Sequence, residues 1–277
     1  MIGIKFGIDY KMVDSTPIKR EIKEEEITTK FEREQYLNQE LSKFTDAGGV
    51  TFNFEGEKGE PPHLDLVYDF VRWYPSDINE HLPILRKYAS RCNTVCEFGT
   101  NDFTSSIGLI SGFPKHFISL DIVDPDIFSL TFEPFSPNRK PDEKPMVIKL
   151  DKNTINQIAT INGVDFRFIQ QSSLEFSFNS VDLLFIDSLH TYTQLMGELQ
   201  LHATKVKKYI ILHDTEFYGD KGQDSKDEKG NYLCPLWETK GIGTALREFV
   251  KNPWTGWVID EHFENCNGLT ILKRPWL

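Results

Sequence analysis

Val95-Cys96-Glu97-Phe98-Gly99-Thr100, with Asp121 closing the next apolar run Phe117-Ile118-Ser119-Leu120-Asp121, is the stretch that decides the fold. Thr94 to Phe98 reads as a short buried strand, Gly99 as a tight turn, Phe103 to Ser111 as a helix, and 117–121 as a second strand ending in a carboxylate. Strand, glycine turn and helix N-terminus together make a nucleotide-sized niche. An acidic residue about 20 positions on is placed to accept hydrogen bonds from ribose hydroxyls. A pyrophosphate-binding fold needs G-x-G-x-x-G, and only Gly99 is present, so the niche suits a cofactor without phosphates.

Outward from this unit, strands and helices alternate. Strands are expected at 94–98, 117–121, 166–170, 181–186, 208–213, 256–263 and 268–273. Helices are expected at 64–73, 82–91, 103–111, 153–160, 191–205 and 241–251. Alternation of this kind implies a parallel sheet with helices on both faces. The last two strands are joined by Asn265-Cys266-Asn267-Gly268, a hairpin signal, so one terminal strand should run antiparallel. The expected fold class is therefore α/β, a Rossmann-like seven-stranded mostly parallel sheet with a C-terminal antiparallel hairpin, plus an N-terminal extension.

At this point the chain resembles the class I S-adenosylmethionine-dependent methyltransferases, whose first motif is E/D-x-G-x-x-x-G. The resemblance spans roughly residues 65 to 275. It is nearest the branch of sugar and macrolide O-methyltransferases and proteins named cephalosporin hydroxylases. Three further stretches carry it: Phe185-Ile186-Asp187-Ser188-Leu189-His190-Thr191-Tyr192, Ile210-Ile211-Leu212-His213-Asp214, and Asn267-Gly268-Leu269-Thr270-Ile271-Leu272. In this order and spacing they are a strong fold signal and a much weaker substrate signal.

The resemblance implies S-adenosylmethionine as cofactor, held by Glu97 near the methionine ammonium, by Gly99 and Thr100 in the first loop, by Asp121 at the ribose, by Ser172 where the family often has an adenine-binding Asp, and by Asp187. Two residues depart from the pattern. Phe103 stands where the second glycine of the motif belongs, and Ser188 follows Asp187 in place of a glycine.

Asp187, His190, His213 and Asp214 all lie at the ends of the fourth and fifth strands. Relatives hold magnesium at such ends through two or three carboxylates. Asp187, His213 and Asp214 are the candidate ligands of a divalent metal here, and the imidazole shifts preference from magnesium toward manganese, iron or zinc. His190 with Asp187 forms the candidate catalytic pair, with His190 as base or as a further ligand. The expected activity is O-methylation of a hydroxylated small molecule, a sugar or a glycosylated natural product. A non-catalytic methyltransferase-fold scaffold and a metal-dependent hydroxylase are the alternatives. A nicotinamide oxidoreductase is disfavoured by the missing glycines.

The bulk properties exclude other classes. The 277 residues, 39% hydrophobic, suffice for one sizeable core with an appendage. A net charge of -11 argues against sequence-independent binding to nucleic acid or an anionic membrane. No apolar run approaches the ~20 residues of a membrane span, and Met1-Ile2-Gly3-Ile4-Lys5 lacks a signal-peptide core. Cys92, Cys96, Cys234 and Cys266 show no metal spacing, and Cys96 falls inside the first strand as a small buried thiol. A cytoplasmic location is the expectation.

Residues 1–62 read as an extension with an edge strand (Ile2, Ile4, Phe6, Ile8) and a charged helix over 19–44, whose thin apolar stripe would dock or support a homodimer. Residues 63–277 are the expected methyltransferase domain. Asp124 to Pro145, with five prolines, and Glu216 to Lys240 are long irregular stretches. The second is expected to form a lid bearing Tyr232, Leu233 and Trp237.

Overall fold

The computed structural model describes residues 64–128, 131–132, 148–223 and 240–276. The expected N-terminal strand and helix, Cys234 and the lid aromatics Tyr232, Leu233 and Trp237 lie outside the described residues.

The described chain opens with α1 (Leu64–Trp73), which buries Leu64, Val67, Tyr68 and Val71, the i, i+3, i+4, i+7 stripe of an amphipathic helix. Ser76 ends the following turn, its Oγ accepting the Asn79 amide at 3.0 Å. A 3-10 turn, Asn79–His81, runs into α2 (Leu82–Ala89), with Pro83 in its first turn. Then come β1 (Thr94–Phe98), α3 (Thr104–Ile110), β2 (His116–Asp121), β3 (Thr131–Phe132), β4 (Ile148–Lys149), α4 (Lys152–Ile161), β5 (Asp165–Gln170) and β6 (Val181–Ile186). The C-terminal part is α5 (Tyr192–His202), β7 (Val206–His213), α6 (Ile242–Lys251), β8 (Val258–Phe263) and β9 (Leu269–Lys273). Asp151 caps α4 by accepting the Thr154 amide at 2.9 Å, and Thr191 caps α5 by accepting that of Gln194 at 3.3 Å.

Seven strands form one sheet in the order β5-β2-β1-β6-β7-β9-β8. The pairs β5–β2, β2–β1, β1–β6 and β6–β7 are parallel. β9 runs antiparallel to both β7 and β8 and lies between them. This is the expected Rossmann-like arrangement, mostly parallel, and the one reversed strand is β9. β3, within the proline-bearing stretch expected to be irregular, and β4, just after it, form a separate antiparallel pair. Two-residue strands are too short to show a period of two.

Side chains alternate across the sheet. Val95, Phe117, Leu183, Phe185 and Ile211 pack under α1 to α4, whereas Cys96, Phe98, Leu184, Ile186, Ile210 and Leu212 pack under α5 and α6. Cys96 is fully buried. Among the described residues no helix is long and apolar enough to cross a membrane.

Candidate active site

The strand order reverses at β1, whose successor β2 lies on one side and β6 on the other. Ligand sites of open parallel sheets form beyond the carboxyl ends of strands at such a switch point. Here those ends carry Gly99, Asp121, Asp187 and, on β7, His213 and Asp214.

Gly99 adopts φ 90°. A Cβ there would stand 2.0 Å from the Asp187 carbonyl oxygen. The glycine is therefore demanded by the neighbouring strand end, whether or not a ligand also approaches it. Beyond it, Asp121 gathers the loop: Oδ2 accepts the Thr100 and Asn101 amides at 2.9 and 3.0 Å, and Oδ1 accepts that of Val123 at 2.9 Å. The carboxylate thus shapes the niche and keeps acceptor capacity on Oδ1. Thr100 is buried, its Oγ1 2.6 Å from Ser119 Oγ.

Glu97 occupies a different place from the expected one. It points into the layer under α3, where register sets it beside Ser119. Its carboxylate accepts hydrogen bonds from Ser105 (2.6 Å), Ser106 (2.5 Å) and Ser119 (2.5 Å), and the residue is 0% exposed. Burial pushes its pKa up to about 7, against the three hydroxyls that favour the charged form. Glu97 therefore lies behind the niche rather than lining it. Phe103 holds a left-handed backbone, φ 69°, and its fully buried ring meets Phe166 and Phe168 edge-on, so the loop is reshaped around an aromatic anchor. Ser172 makes a turn, its Oγ accepting the Leu174 amide at 3.3 Å.

Beside the niche lies a cluster of two carboxylates and two imidazoles. Asp187 Oδ1 lies 3.1 Å from His190 Nε2 and 3.2 Å from His213 Nδ1. Asp214 Oδ2 lies 3.1 Å from His190 Nε2, and its Oδ1 is 3.6 Å from His213 Nδ1. Donor atoms of Asp187, His213 and Asp214 all fall within 4.8 Å of one another, as a common ion would require. Asp214 also carries a left-handed backbone, φ 59°, as strained residues at functional sites do.

Each imidazole is oriented from outside the cluster. His213 Nε2 faces the carbonyls of Asp77 (3.0 Å) and Cys266 (3.1 Å), so it carries a proton and donates it. His190 Nδ1 lies 2.9 Å from Gln223 Oε1, which also accepts the His190 amide at 3.3 Å. That oxygen is an acceptor twice over, so Nδ1 is the protonated nitrogen. The ring of His190 stacks on Tyr218, with centroids 4.7 Å apart and planes 2° from parallel. Thr191, not His190, caps α5.

The cluster is strongly coupled. Burial opposes charge on His213, but Asp187 and Asp214 push its pKa up to about 9. The same carboxylates hold His190 above its ordinary value despite burial. Burial would raise Asp187 too, yet the two imidazoles hold it well below the carboxylate range, whereas burial wins at Asp214 and raises it.

The structure thus brings Asp187, His190, His213 and Asp214 together and sets Gly99, Thr100 and Asp121 around one turn. Gln223, Tyr218 and the Asp77 and Cys266 carbonyls had no signature in the sequence. Asp77 and Cys266 approach from distant chain positions and as backbone acceptors leave no residue-type signature, whereas Tyr218 and Gln223 come from the base of the expected lid. Of the expected lid, residues 216–223 are described; the Glu216 and Phe217 amides donate to the Asn267 carbonyl at 2.9 and 3.0 Å, which ties the lid's base to the C-terminal hairpin.

No family model and no curated protein matches this chain. Among solved structures, it is similar to an O-methyltransferase from Bacillus cereus in complex with SAH. That match has 12% identity over 87% of this chain and 99% of the other, with a TM-score of 0.46. A SAH-bound methyltransferase from Podospora anserina matches at 12% identity over 85% and 94% of the two chains, TM-score 0.40. A magnesium protoporphyrin IX methyltransferase from Synechocystis with bound SAH matches at 14% identity over 76% and 97%, TM-score 0.39.

Proposed function

We propose that the chain is an S-adenosylmethionine-dependent O-methyltransferase acting on a hydroxyl of a small molecule, with a carbohydrate or a glycosylated natural product as the acceptor class. The observation that carries this reading is the pairing, at one switch point, of a single-glycine turn organised by Asp121 with a carboxylate–imidazole cluster on the next two strand ends. The first half suits a nucleoside without a pyrophosphate. Asp121 Oδ1 accepts from the ribose hydroxyls, Ile122, 64% exposed beside it, offers apolar surface to the base, and Ser172 stands at the amine side.

The second half suits proton removal from an alcohol. In the transfer, an oxygen–methyl bond forms as the methyl–sulfonium bond breaks, the sulfonium becomes a neutral thioether, and the hydroxyl proton must leave. In the metal-free cluster Asp187 and His190 are the pair that holds a proton at His190 Nε2, while the imidazolium of His213 offsets the carboxylate charge. The cluster also fits a divalent metal, because Asp214 Oδ1 is buried without a hydrogen-bond partner among the described residues and belongs to a set with both imidazole and carboxylate donors. Asp187, His213 and Asp214 would hold it, and it would supply charge that acidifies a bound hydroxyl.

The test is turnover with labelled S-adenosylmethionine against a panel of sugars and glycosides, with the product methyl located by mass spectrometry. Asp187→Asn should lower the rate by roughly 10²–10⁴, in a variant whose melting curve confirms that it is folded. Equal rates for Asp187→Asn and the wild type would remove the cluster from the chemistry.

A further inference from the structure

The two imidazoles of the cluster are arranged alike, although they sit on different segments. In each, the outer nitrogen is committed as a donor: His213 Nε2 to the Asp77 and Cys266 carbonyls, His190 Nδ1 to Gln223 Oε1. In each, the inner nitrogen faces the same two carboxylates. His213 Nδ1 is 3.2 Å from Asp187 Oδ1 and 3.6 Å from Asp214 Oδ1; His190 Nε2 is 3.1 Å from Asp187 Oδ1 and 3.1 Å from Asp214 Oδ2. An outer hydrogen bond that fixes tautomer and ring plane is how proteins prepare a histidine to ligate a metal. Asp214 adds an independent sign. Its side chain is 5% exposed, and its Oδ1 has no hydrogen-bond partner among the described residues while facing the cluster.

We propose that His190 is a fourth ligand, joining Asp187, His213 and Asp214 in a site for a divalent transition ion such as zinc or iron(II), and that Gln223 is the positioning residue that turns His190 Nε2 inward. Two neutral imidazole nitrogens with two carboxylates match the ligand preference of zinc and iron. Magnesium prefers an all-oxygen shell. On binding, the ion displaces the protons that the inner nitrogens share with the carboxylates, and those protons leave to solvent. The inference deepens the proposed methyltransferase reading and rests on it for the ion's task, the acidification of an acceptor hydroxyl. Three of the ligands stand on the mutual approach of Asp187, His213 and Asp214, and His190 joins them through its 3.1 Å contacts to both carboxylates.

The experiment uses the full chain, freed of metal by dialysis. Calorimetry with zinc and with magnesium gives affinities, and pulsed electron paramagnetic resonance with copper(II) as the probe counts coordinated imidazoles. The expected result is zinc bound at least about 100-fold more tightly than magnesium, and two imidazole nitrogens on copper. His190→Ala should leave one imidazole, and Gln223→Ala should weaken zinc about 10- to 100-fold. The unfolding midpoint of each variant, measured without metal, separates lost ligation from lost fold. One imidazole in both the wild type and His190→Ala would overturn the assignment, as would equal affinity for zinc and magnesium. Two imidazoles in a chain that gives no heat with S-adenosylmethionine would sink the methyltransferase reading and leave the ligand set standing.

Discussion

Glu97 places a carboxylate wholly out of water, among three hydroxyls and no cation, and its raised pKa of about 7 follows from that burial. The sign of its pH effect can be worked out. The folded state holds the proton up to about pH 7, the unfolded state only to 4.5, so the folded state binds more protons between these values. Stability should therefore fall as pH rises from about 4.5 to 7 and level off above, by roughly 3 kcal/mol at one pKa unit per 1.36 kcal/mol. Glu97→Gln keeps the shape and cannot ionise; Ser105 Oγ can rotate to accept from its amide. Urea unfolding of this variant should show that part of the pH dependence removed, and a slope unchanged from wild type would show that Glu97 does not titrate in this range. Gly99 gives a second residue-scale prediction. Gly99→Ala forces a Cβ to 2.0 Å from the Asp187 carbonyl, so it should lower the melting temperature measurably even without any ligand. A variant with an unchanged melting temperature that nonetheless fails to bind cofactor would restore the ligand-approach reading of this glycine.

The loop from β1 to α3 turns on Phe103, where two energies compete. A left-handed backbone costs an L-residue about 1–2 kcal/mol, which glycine would recover. Emptying a fully buried phenylalanine site costs about 3–5 kcal/mol. The ring wins, so Phe103→Gly should destabilise the protein by about 2–3 kcal/mol in chemical denaturation; a stabilised variant would show that the aromatic anchor is dispensable. The element boundaries were legible because apolar runs of strand length alternate with helical periods, and Asn267-Gly268 marked the hairpin ahead of β9. What stayed hidden was how ends meet. The loops bearing Ser76, Asp77 and Asn265–Gly268 come together around His213 across more than a hundred residues of chain, and no local pattern encodes such a meeting. The serines that bond Glu97 were hidden for a related reason. A serine on a helix reads as neutral until the strand beneath it is known.

At the scale of the whole molecule, one sheet divides the labour. The carboxyl ends of β1 and β2 shape a niche with Asp121, and those of β6 and β7 carry the charged cluster next to it. The α/β class, the antiparallel C-terminal hairpin and the membership of the cluster followed from the sequence; the strand order, the orientation of the imidazoles and the burial of Glu97 did not. Most directly at stake is the claim that this sheet binds S-adenosylmethionine at the Asp121 niche. Calorimetric titration of the full chain with S-adenosylmethionine and S-adenosylhomocysteine decides it. The predicted result is micromolar binding, ~8 kcal/mol, weakened in Asp121→Ala by about 1.5–3 kcal/mol for a lost charged acceptor, in a variant whose melting curve confirms that it is folded. Absence of binding heat in the wild type, or wild-type affinity in a folded Asp121→Ala, would contradict the account.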